Sequence, residues 1–190
     1  MTKVNLKGND KGFTFVELCV VVVTMAIMAA LAIPQLSSTM RAMKIASDAR
    51  SIATTMTYAK MNAASLTTRC RVLIDLDRNE WRLERRIPGT SNWELQQAVN
   101  QLSSGVGNSG IAFKRTSSTA PPVYPGDGAP LFPTDSSSTF TFSSRGTLVE
   151  PSVGMGIIYI SNNEEDYAVS VSVSGKAQVW RYRNSQWIEQ

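Results

Sequence analysis

A single acidic residue, Glu17, lies inside a long apolar run near the start of this 190-residue chain. The run covers residues 13–33, with the sequence FTFVELCVVVVTMAIMAALAI, and contains no Lys, Arg or His to pair with the carboxylate. A carboxylate at the centre of a membrane helix costs about 2.5–3.5 kcal/mol on insertion scales. Glu17 therefore either extends to the membrane interface or finds its partner in another chain, in a new amino terminus or in the lipid headgroups.

Catalytic and metal-binding chemistry has little support in the sequence. Histidine is absent from the chain, which removes the commonest general base and the commonest metal ligand. Serine is plentiful, but neither a G-x-S-x-G nor an S-x-x-K string accompanies it. Glu164, Glu165 and Asp166 form an acidic cluster that a solvated turn explains better than a metal site. We therefore expect no catalytic residue, no metal and no cofactor.

Nucleic-acid binding is the remaining chemical hypothesis. Lys176, Arg181 and Arg183 place positive charge near the C-terminus, and Trp180 and Tyr182 flank the first arginine. In a strand the two arginines share one face and the two aromatic residues share the other. A basic groove with stacking aromatic rings can hold DNA, whereas a net charge of +4 is too small to predict it. The alternative is that the aromatic side chains belong to the core and the arginines are solvated.

The elements that carry these residues begin with a basic leader and an apolar helix. Residues 1–12 include Lys3, Lys7 and Lys11, and a helix over residues 13–33 would extend roughly 31 Å, close to the ~30 Å hydrocarbon core of a bilayer. The positive-inside rule then places the N-terminus in the cytoplasm and the rest of the chain outside. A cleaved secretory signal and a plain signal anchor are the alternatives, and neither accounts for Glu17.

Residues 12–18, with the sequence GFTFVEL, resemble the class III signal of type IV pilins and pseudopilins. The resemblance implies that a prepilin peptidase cleaves between Gly12 and Phe13 on the cytoplasmic side and N-methylates Phe13. It also implies that Glu17 neutralises the free amine of a neighbouring subunit during filament assembly. Pro34 corresponds to the proline that kinks the helix of these proteins, and it removes one backbone donor in any helix.

Helical periodicity resumes after Pro34 and predicts an amphipathic helix to about Ala64. Its apolar stripe is expected to contain Leu36, Met40, Met43, Ala46, Ala49, Ala53 and Met56. The pattern then changes to period two, with strands predicted near residues 70–76, 81–84, 93–99, 140–143, 155–161, 167–174 and 177–183. The sequence therefore predicts an α+β fold, in which a long N-terminal helix packs on an antiparallel β-sheet head of about seven strands.

This pattern divides the chain into four predicted parts. They are a leader at residues 1–12, a transmembrane and assembly helix at 13–34, an amphipathic helix at 35–66 and a β-rich soluble head at 67–190. Within the head, residues 103–139 are rich in Ser, Gly and Pro, and we expect a flexible surface loop there.

The head carries a second resemblance. Phe142 and Gly146 belong to a turn, and Gly175 and Lys176 precede an alternating strand, as in the soluble domain of GspH/FimT-type minor pilins. Lys176 and Gln178 stand where these proteins carry two arginines. The resemblance implies a structural subunit at the tip, or in the initiation complex, of a type IV pilus or a type II secretion pseudopilus.

The same resemblance implies a location and a set of partners. The helix would lie in the bacterial inner membrane and the head in the periplasm, before both enter the pilus or pseudopilus. The implied partners are other pilin or pseudopilin subunits, the prepilin peptidase and the assembly platform. Two alternatives stay open, namely a minor pilin that binds DNA for uptake and a single-pass membrane-anchored β-domain protein unrelated to filaments.

Overall fold

The computed structural model describes residues 12–103, 110–114, 137–151 and 155–190. Residues 1–11 of the predicted leader, and residues 104–109 and 115–136 of the predicted loop, lie outside the described residues. The chain forms two compact units, Met1–Met40 and Arg41–Gln190, and the second is called the head unit below. One helix, α1 (Phe15–Ser65), contributes residues to both units.

Helix α1 includes Pro34 and ends in a Schellman motif. Thr67 adopts a φ of 49°, its N–H donates to the Ala64 carbonyl at 3.4 Å, and the Thr68 N–H donates to the Ala63 carbonyl at 3.1 Å. Glycine usually occupies this left-handed position, but here the residue is Thr67. The sequence therefore has no glycine to mark the end of the helix. The kink at Pro34 stays a prediction. Within the described residues, no helix combines the length and the hydropathy that a membrane span requires.

Ten strands form two antiparallel sheets in the described part of the head unit. They are β1 (Cys70–Asp75), β2 (Glu80–Arg86), β3 (Trp93–Leu95), β4 (Asn100–Gln101), β5 (Ser137–Phe142), β6 (Leu148–Glu150), β7 (Gly156–Ser161), β8 (Asp166–Val171), β9 (Ala177–Arg183) and β10 (Gln186–Glu189). Sheet A has the order β3-β2-β1-β5-β6, and β4 also pairs with β2. Sheet B has the order β10-β9-β8-β7.

The predicted α+β class, with an N-terminal helix and antiparallel pairing, is confirmed, but the prediction of one sheet of about seven strands is wrong. The additional strands are β4, β6 and β10, which are only two to four residues long. Such lengths are too short for alternation to be recognised. Strand β10 also follows a two-residue turn, in which Asn184 and Ser185 have φ values of 51° and 62°. These angles fit a type I′ turn without the glycine that usually marks one.

Both sheets pack against one face of α1. The face consists of buried residues at alternating spacings of four and three, namely Ile45, Ala49, Ile52, Met56, Ala59 and Ala63. They share one hydrophobic cluster with Phe140 and Phe142 of sheet A and with Ile160 and Val169 of sheet B. Helix α1 is therefore the layer that the two sheets have in common.

The predicted stripe on α1 has the right period, but the wrong phase in its first part. Met40 and Met43 are more than half exposed, whereas Ile45 and Ile52, which the prediction omitted, are fully buried. Ala46 flanks the buried face and is half-buried. Small apolar residues therefore lie on more than one side of the helix, so periodicity alone does not determine which side is buried.

A buried carboxylate on α1 anchors the segment that follows β4. Asp48 is only 6% exposed, and it accepts hydrogen bonds from the N–H and from the hydroxyl of Ser103, both at 2.8 Å. Burial raises the pKa of Asp48, although the Ser103 hydrogen bonds and the charge of Lys44 act in the opposite direction. The start of the predicted loop is thus tied to the helix.

Sheet B approaches sheet A closely at the first residue of β7. A Cβ built on Gly156 would overlap the ring of Phe140 in β5 and would lie 3.3 Å from Cδ of Pro151. Phe140 is 1% exposed and belongs to the shared cluster. The close approach therefore requires a residue without a side chain at position 156.

We expect Gly156→Ala to lower the free energy of unfolding by about 1–3 kcal/mol, because the new methyl group overpacks the core against Phe140. Denaturant unfolding of the full-length protein in detergent micelles, followed by tryptophan fluorescence, measures the change. Gly12→Ala is the matched control, since a Cβ at Gly12 meets no atom within 4 Å. An unfolding midpoint equal to that of the wild type would contradict the close approach, and adding Phe140→Leu should restore part of the loss.

Stability should also depend on pH through Asp48. Its folded-state pKa lies above the ordinary value of 3.8, so the folded chain holds this proton more tightly than the unfolded chain. The contribution of Asp48 to the unfolding free energy therefore falls as the pH rises from the unfolded-state pKa through the folded-state pKa. Asp48→Asn removes this contribution, and the difference in unfolding free energy, variant minus wild type, should increase from about pH 4 to about pH 7.

Chemical denaturation at both pH values measures that difference. Asp77→Asn, in the exposed turn between β1 and β2, is the control for loss of a carboxylate. A difference for Asp48→Asn that is constant with pH would mean that Asp48 does not titrate between these values.

Candidate functional site

Helix α1 begins with reciprocal hydrogen bonds between Thr14 and Glu17. The Thr14 N–H donates to Oε2 of Glu17 at 2.9 Å, and the Glu17 N–H donates to Oγ1 of Thr14 at 3.2 Å. The Thr14 hydroxyl also donates to the same Oε2 at 3.0 Å. This arrangement is a capping box, in which a T-x-x-E sequence satisfies backbone donors that the first helical turn leaves without partners.

The capping box gives Glu17 hydrogen-bond partners in its own chain, which the apolar pattern did not predict. The T-x-x-E spacing before the apolar run was a sufficient signal. The box supplies no positive charge, so Glu17 has no counter-ion among the described residues. Its Thr14 N–H belongs to the peptide bond with Phe13, so cleavage before Phe13 would leave the box intact.

Gly12 and Phe13 precede the helix and are exposed, Phe13 to 87%. A Cβ built on Gly12 meets no atom within 4 Å, so packing inside the described chain does not require glycine at this position. A requirement for glycine here would have to come from a molecule that binds this segment.

The helical surface after Phe13 is apolar and exposed. Its large exposed side chains, with exposed fractions of 45–79%, are Phe15, Val16, Leu18, Val20, Val21, Val22, Val23, Met25, Ile27, Met28 and Leu31. A helix that is apolar on all sides is normally covered by protein or by lipid. Glu17 thus lies on a surface for which other molecules must provide the cover.

The two glycines of the head motif lie in matching turns. Gly146 and Gly175 both have a φ of 75°, in turns that begin at Ser143 and Ser172. In each turn the serine N–H donates to the carbonyl four residues later, at 2.8 and 3.0 Å, and the glycine N–H donates to the serine carbonyl at 2.8 Å. A type I turn followed by a left-handed residue has this pattern and favours glycine.

The two turns contact each other beside Lys60. A Cβ built on Gly175 would overlap the carbonyl oxygen of Gly146, and side-chain carbons of Lys60 lie 3.1 and 3.2 Å from the Cβ positions of the two glycines. The Lys60 Nζ donates to the Ser174 carbonyl at 3.0 Å. The motif that runs through Gly146 and Gly175 is therefore a junction between the two sheets and the last part of α1.

The three basic residues proposed for DNA binding differ in their surroundings. Arg181 in β9 pairs with Glu165 at 2.5 Å, and its guanidinium carbon lies 5.9 Å from the ring centre of Tyr167. Arg183 is exposed at the end of β9, and Lys176 is exposed just before that strand. Since a carboxylate already pairs with Arg181, the structure does not present these residues as three unpaired cations.

The aromatic side chains of the same hairpin differ in burial, since Trp180 is buried whereas Tyr182 is half-buried. Trp180 is 6% exposed, and its Nε1–H donates to Oγ of Ser170 at 2.8 Å. It shares a small buried cluster with Tyr159, and the ring of Tyr182 lies 5.1 Å from that of Trp187 in β10. Trp180 therefore belongs to the core, as the alternative interpretation expects, whereas Tyr182 lies half-buried against Trp187.

The acidic turn at residues 162–166 participates in ion pairs with basic side chains. Glu164 pairs with Arg41 at 3.1 Å, and Glu165 pairs with Arg181. Across the described ranges, no group of three His, Cys, Asp or Glu side chains is placed to hold a metal ion. Cys70 is buried in the core, and burial raises the pKa of its thiol.

Comparison with known proteins identifies the family to which the chain belongs. The family model described as Type II transport protein GspH matches residues 48–175, which is more than half of the chain. The crystal structure of the type IV minor pilin FimU from Pseudomonas aeruginosa is similar at 16% identity and a TM-score of 0.49, over 76% of this chain and 92% of that one. No curated protein matches the chain.

The structure of the minor pseudopilin EpsH, from the Type 2 Secretion System of Vibrio cholerae, is similar at 14% identity and a TM-score of 0.48, over 72% of this chain and 95% of that one. The segment matched by the family model contains Asp48, all of sheet A, β7, β8 and both glycines of the junction. The chain therefore belongs to the GspH family, whose model is described as a type II transport protein.

Proposed function

We propose that this chain is a minor pilin or pseudopilin, a structural subunit of a type IV pilus or a type II secretion pseudopilus. A prepilin peptidase would process it between Gly12 and Phe13, and it would then enter its filament through the N-terminal helix. The observation that carries the proposal is the exposed apolar surface of α1, which contains one carboxylate, Glu17. In the proposed organisation residues 1–12 are the leader, 13–34 the membrane and assembly helix, 35–66 the amphipathic helix and 67–190 the head. Proteins of this family are structural, and the proposal assigns the chain no catalytic step.

The proposed location follows from the charges that precede the apolar run. Lys3, Lys7 and Lys11 favour a cytoplasmic N-terminus, with the helix in the bacterial inner membrane and the head in the periplasm. From there the subunit would pass through the assembly platform into the tip, or the initiation complex, of a pilus or pseudopilus. Its direct contacts would be other pilin or pseudopilin subunits.

The surroundings of Gly12 support recognition by a peptidase. The glycine has no packing role in the described chain, and it lies next to a helix start that the capping box stabilises. A residue without a side chain lets an enzyme approach the backbone closely. Removal of the leader would expose the Phe13 amine, which stays positively charged after methylation.

The capping box leaves Glu17 available for the proposed neutralisation. Thr14 donates two hydrogen bonds to Oε2, and Oε1 has no partner among the described residues. The Phe13 amine of a neighbouring subunit could donate to that second oxygen. In an apolar environment such a pair is strongly favoured over an isolated carboxylate and an isolated amine.

DNA binding at the C-terminal hairpin has less support than filament assembly. Its requirement for free cations conflicts with the pairing of Arg181 with Glu165, and Trp180 is buried. A site with fewer free cations than the three it was predicted to use would give weak, salt-sensitive binding. Membership of the GspH family argues against the other alternative, a membrane-anchored domain unrelated to filaments.

We expect Gly12→Val to slow leader removal by at least about tenfold, because the new side chain obstructs the peptidase at the residue before the scissile bond. Intact-mass measurement after coexpression with a prepilin peptidase detects whether residues 1–12 are still attached. Gly8→Val, elsewhere in the same leader, is the control and should be processed normally. Leader removal from Gly12→Val at the wild-type rate would refute the assignment of the cleavage site.

We expect Glu17→Gln to be processed and inserted, but to reach the filament at a level lower by at least about tenfold, or roughly 1.4 kcal/mol of association free energy. Glutamine can preserve the capping box while removing the charge, so this variant isolates the electrostatic role. Immunoblots of sheared filaments and of membranes measure the distribution of the subunit.

Two further variants separate helix capping from charge neutralisation. Thr14→Val removes the hydroxyl that bonds Glu17 and should reduce incorporation less than Glu17→Gln does. Glu17→Ala removes both functions and should resemble Glu17→Gln. Wild-type incorporation of Glu17→Gln would show that the charge is not used in assembly.

A further inference from the structure

A cleft opens at the end of the head unit where α1 stops. It has a volume of about 930 Å³ and lies between residues 67–69 after α1, residues 86–92 from the end of β2 to β3, and Ser143 and Ser144 of the first glycine turn. Arg41 and Ser65 are 24 residues apart in α1, or roughly 36 Å along the helix. The cleft therefore lies at the opposite end of the head unit from Arg41.

The described lining of the cleft contains two positive charges and no negative one. The cations are Arg69 and Arg86, and no Asp or Glu is among the described residues of the lining. Neither arginine forms an ion pair with a described residue. By contrast, Arg71 in β1 and Arg85 in β2 each have a glutamate within 2.8 Å. Arg145 is exposed in the adjoining turn. The cleft thus has an excess of positive charge that the described part of the chain does not balance.

Hydrogen bonds hold the two arginines in place. The Arg86 N–H donates to the Arg69 carbonyl at 2.8 Å, and the Thr68 hydroxyl donates to the Arg86 carbonyl at 3.0 Å. The Nε of Arg86 donates to the Thr90 carbonyl at 2.9 Å, which leaves the terminal guanidinium nitrogens without a described partner. An anion would therefore meet arginines whose backbone positions are already set, which lowers the entropic cost of binding.

The remaining side chains of the cleft indicate the kind of anion. Most are hydroxyl or amide groups, including those of Thr67, Thr90, Ser91 and Asn92. No aromatic residue is among the described lining, so nucleic-acid bases would find no ring on which to stack. The cleft is also much larger than one phosphate ion. A ligand with many hydroxyl groups and a few negative charges matches this lining.

We propose that the cleft binds an acidic saccharide, a sugar chain that carries carboxylate groups. Arg69 and Arg86 would pair with the carboxylates, for which the guanidinium geometry is well suited. The hydroxyl and amide side chains would bond the sugar hydroxyls. The site shares no residue with Gly12, Phe13 or Glu17, so saccharide binding and filament entry can fail independently.

The test is calorimetric titration of the full-length protein in detergent micelles with oligogalacturonate at low salt. Binding should weaken as salt is added. Arg69→Gln should weaken it by about tenfold, the effect expected for losing one charge-assisted hydrogen bond. Arg69 is exposed and its side chain forms no hydrogen bond or ion pair with a described residue, so this change should leave the fold intact. Arg78→Gln, at the opposite end of β1, is the matched control and should change affinity less than about twofold.

Each other outcome would overturn the proposal. These are no heat of binding at low salt, equal losses in Arg69→Gln and Arg78→Gln, and binding of a neutral maltooligosaccharide with the same affinity. Duplex DNA that binds as tightly, with the same dependence on Arg69, would make the site one for nucleic acid. Inorganic phosphate that displaces the sugar at equal molar concentration would make it a site for small anions.

Discussion

The head of this protein depends on one buried face of α1. The face extends from Ile45 to Ala63, and the residues of both sheets that contact it belong to a single hydrophobic cluster. At one end of that face Arg41 pairs with Glu164, and at the other Lys60 covers the glycine junction. Two sheets and one helix share this core. Replacing one of its large residues by a small one would therefore leave a cavity that weakens the packing of the helix against the sheets. The same helix carries the proposed assembly surface, so in this proposal assembly and head folding use different parts of one element.

Local patterns in the sequence predicted the elements of the fold better than their arrangement. Each of the seven predicted windows overlaps an observed strand, because alternation and turn residues are local properties. The division into two sheets depends on contacts between distant segments. In sheet B, moreover, β7 is buried at every position, with Ile157 and Ile158 on opposite faces, so its sequence shows no polar side. Which side of α1 is buried was also decided by packing against both sheets.

The features of the candidate site also differ in whether the sequence could predict them. Gly12, Phe13 and Glu17 could be chosen from seven consecutive residues, because their spacing resembles a known signal and their apolar context makes a carboxylate unusual. The capping box could have been predicted from Thr14 and Glu17, since it depends only on residues three apart. The pairing of Arg181 with Glu165 could not be predicted, because it joins β9 to the acidic turn before β8. Sequence alone also gave no indication that residues 67–69 and 86–92 would enclose a cleft.

The contact between Gly146 and Gly175 has a consequence for how this head can change over evolution. Each glycine is needed for its own turn, but the space beside Gly175 is also limited by the carbonyl of Gly146 and by the stem of Lys60. A relative with a side chain at the second position would have to reshape the first turn and displace the lysine stem at once. Substitutions in these three separate stretches are therefore expected to depend on one another, although no two of the stretches are neighbours along the chain.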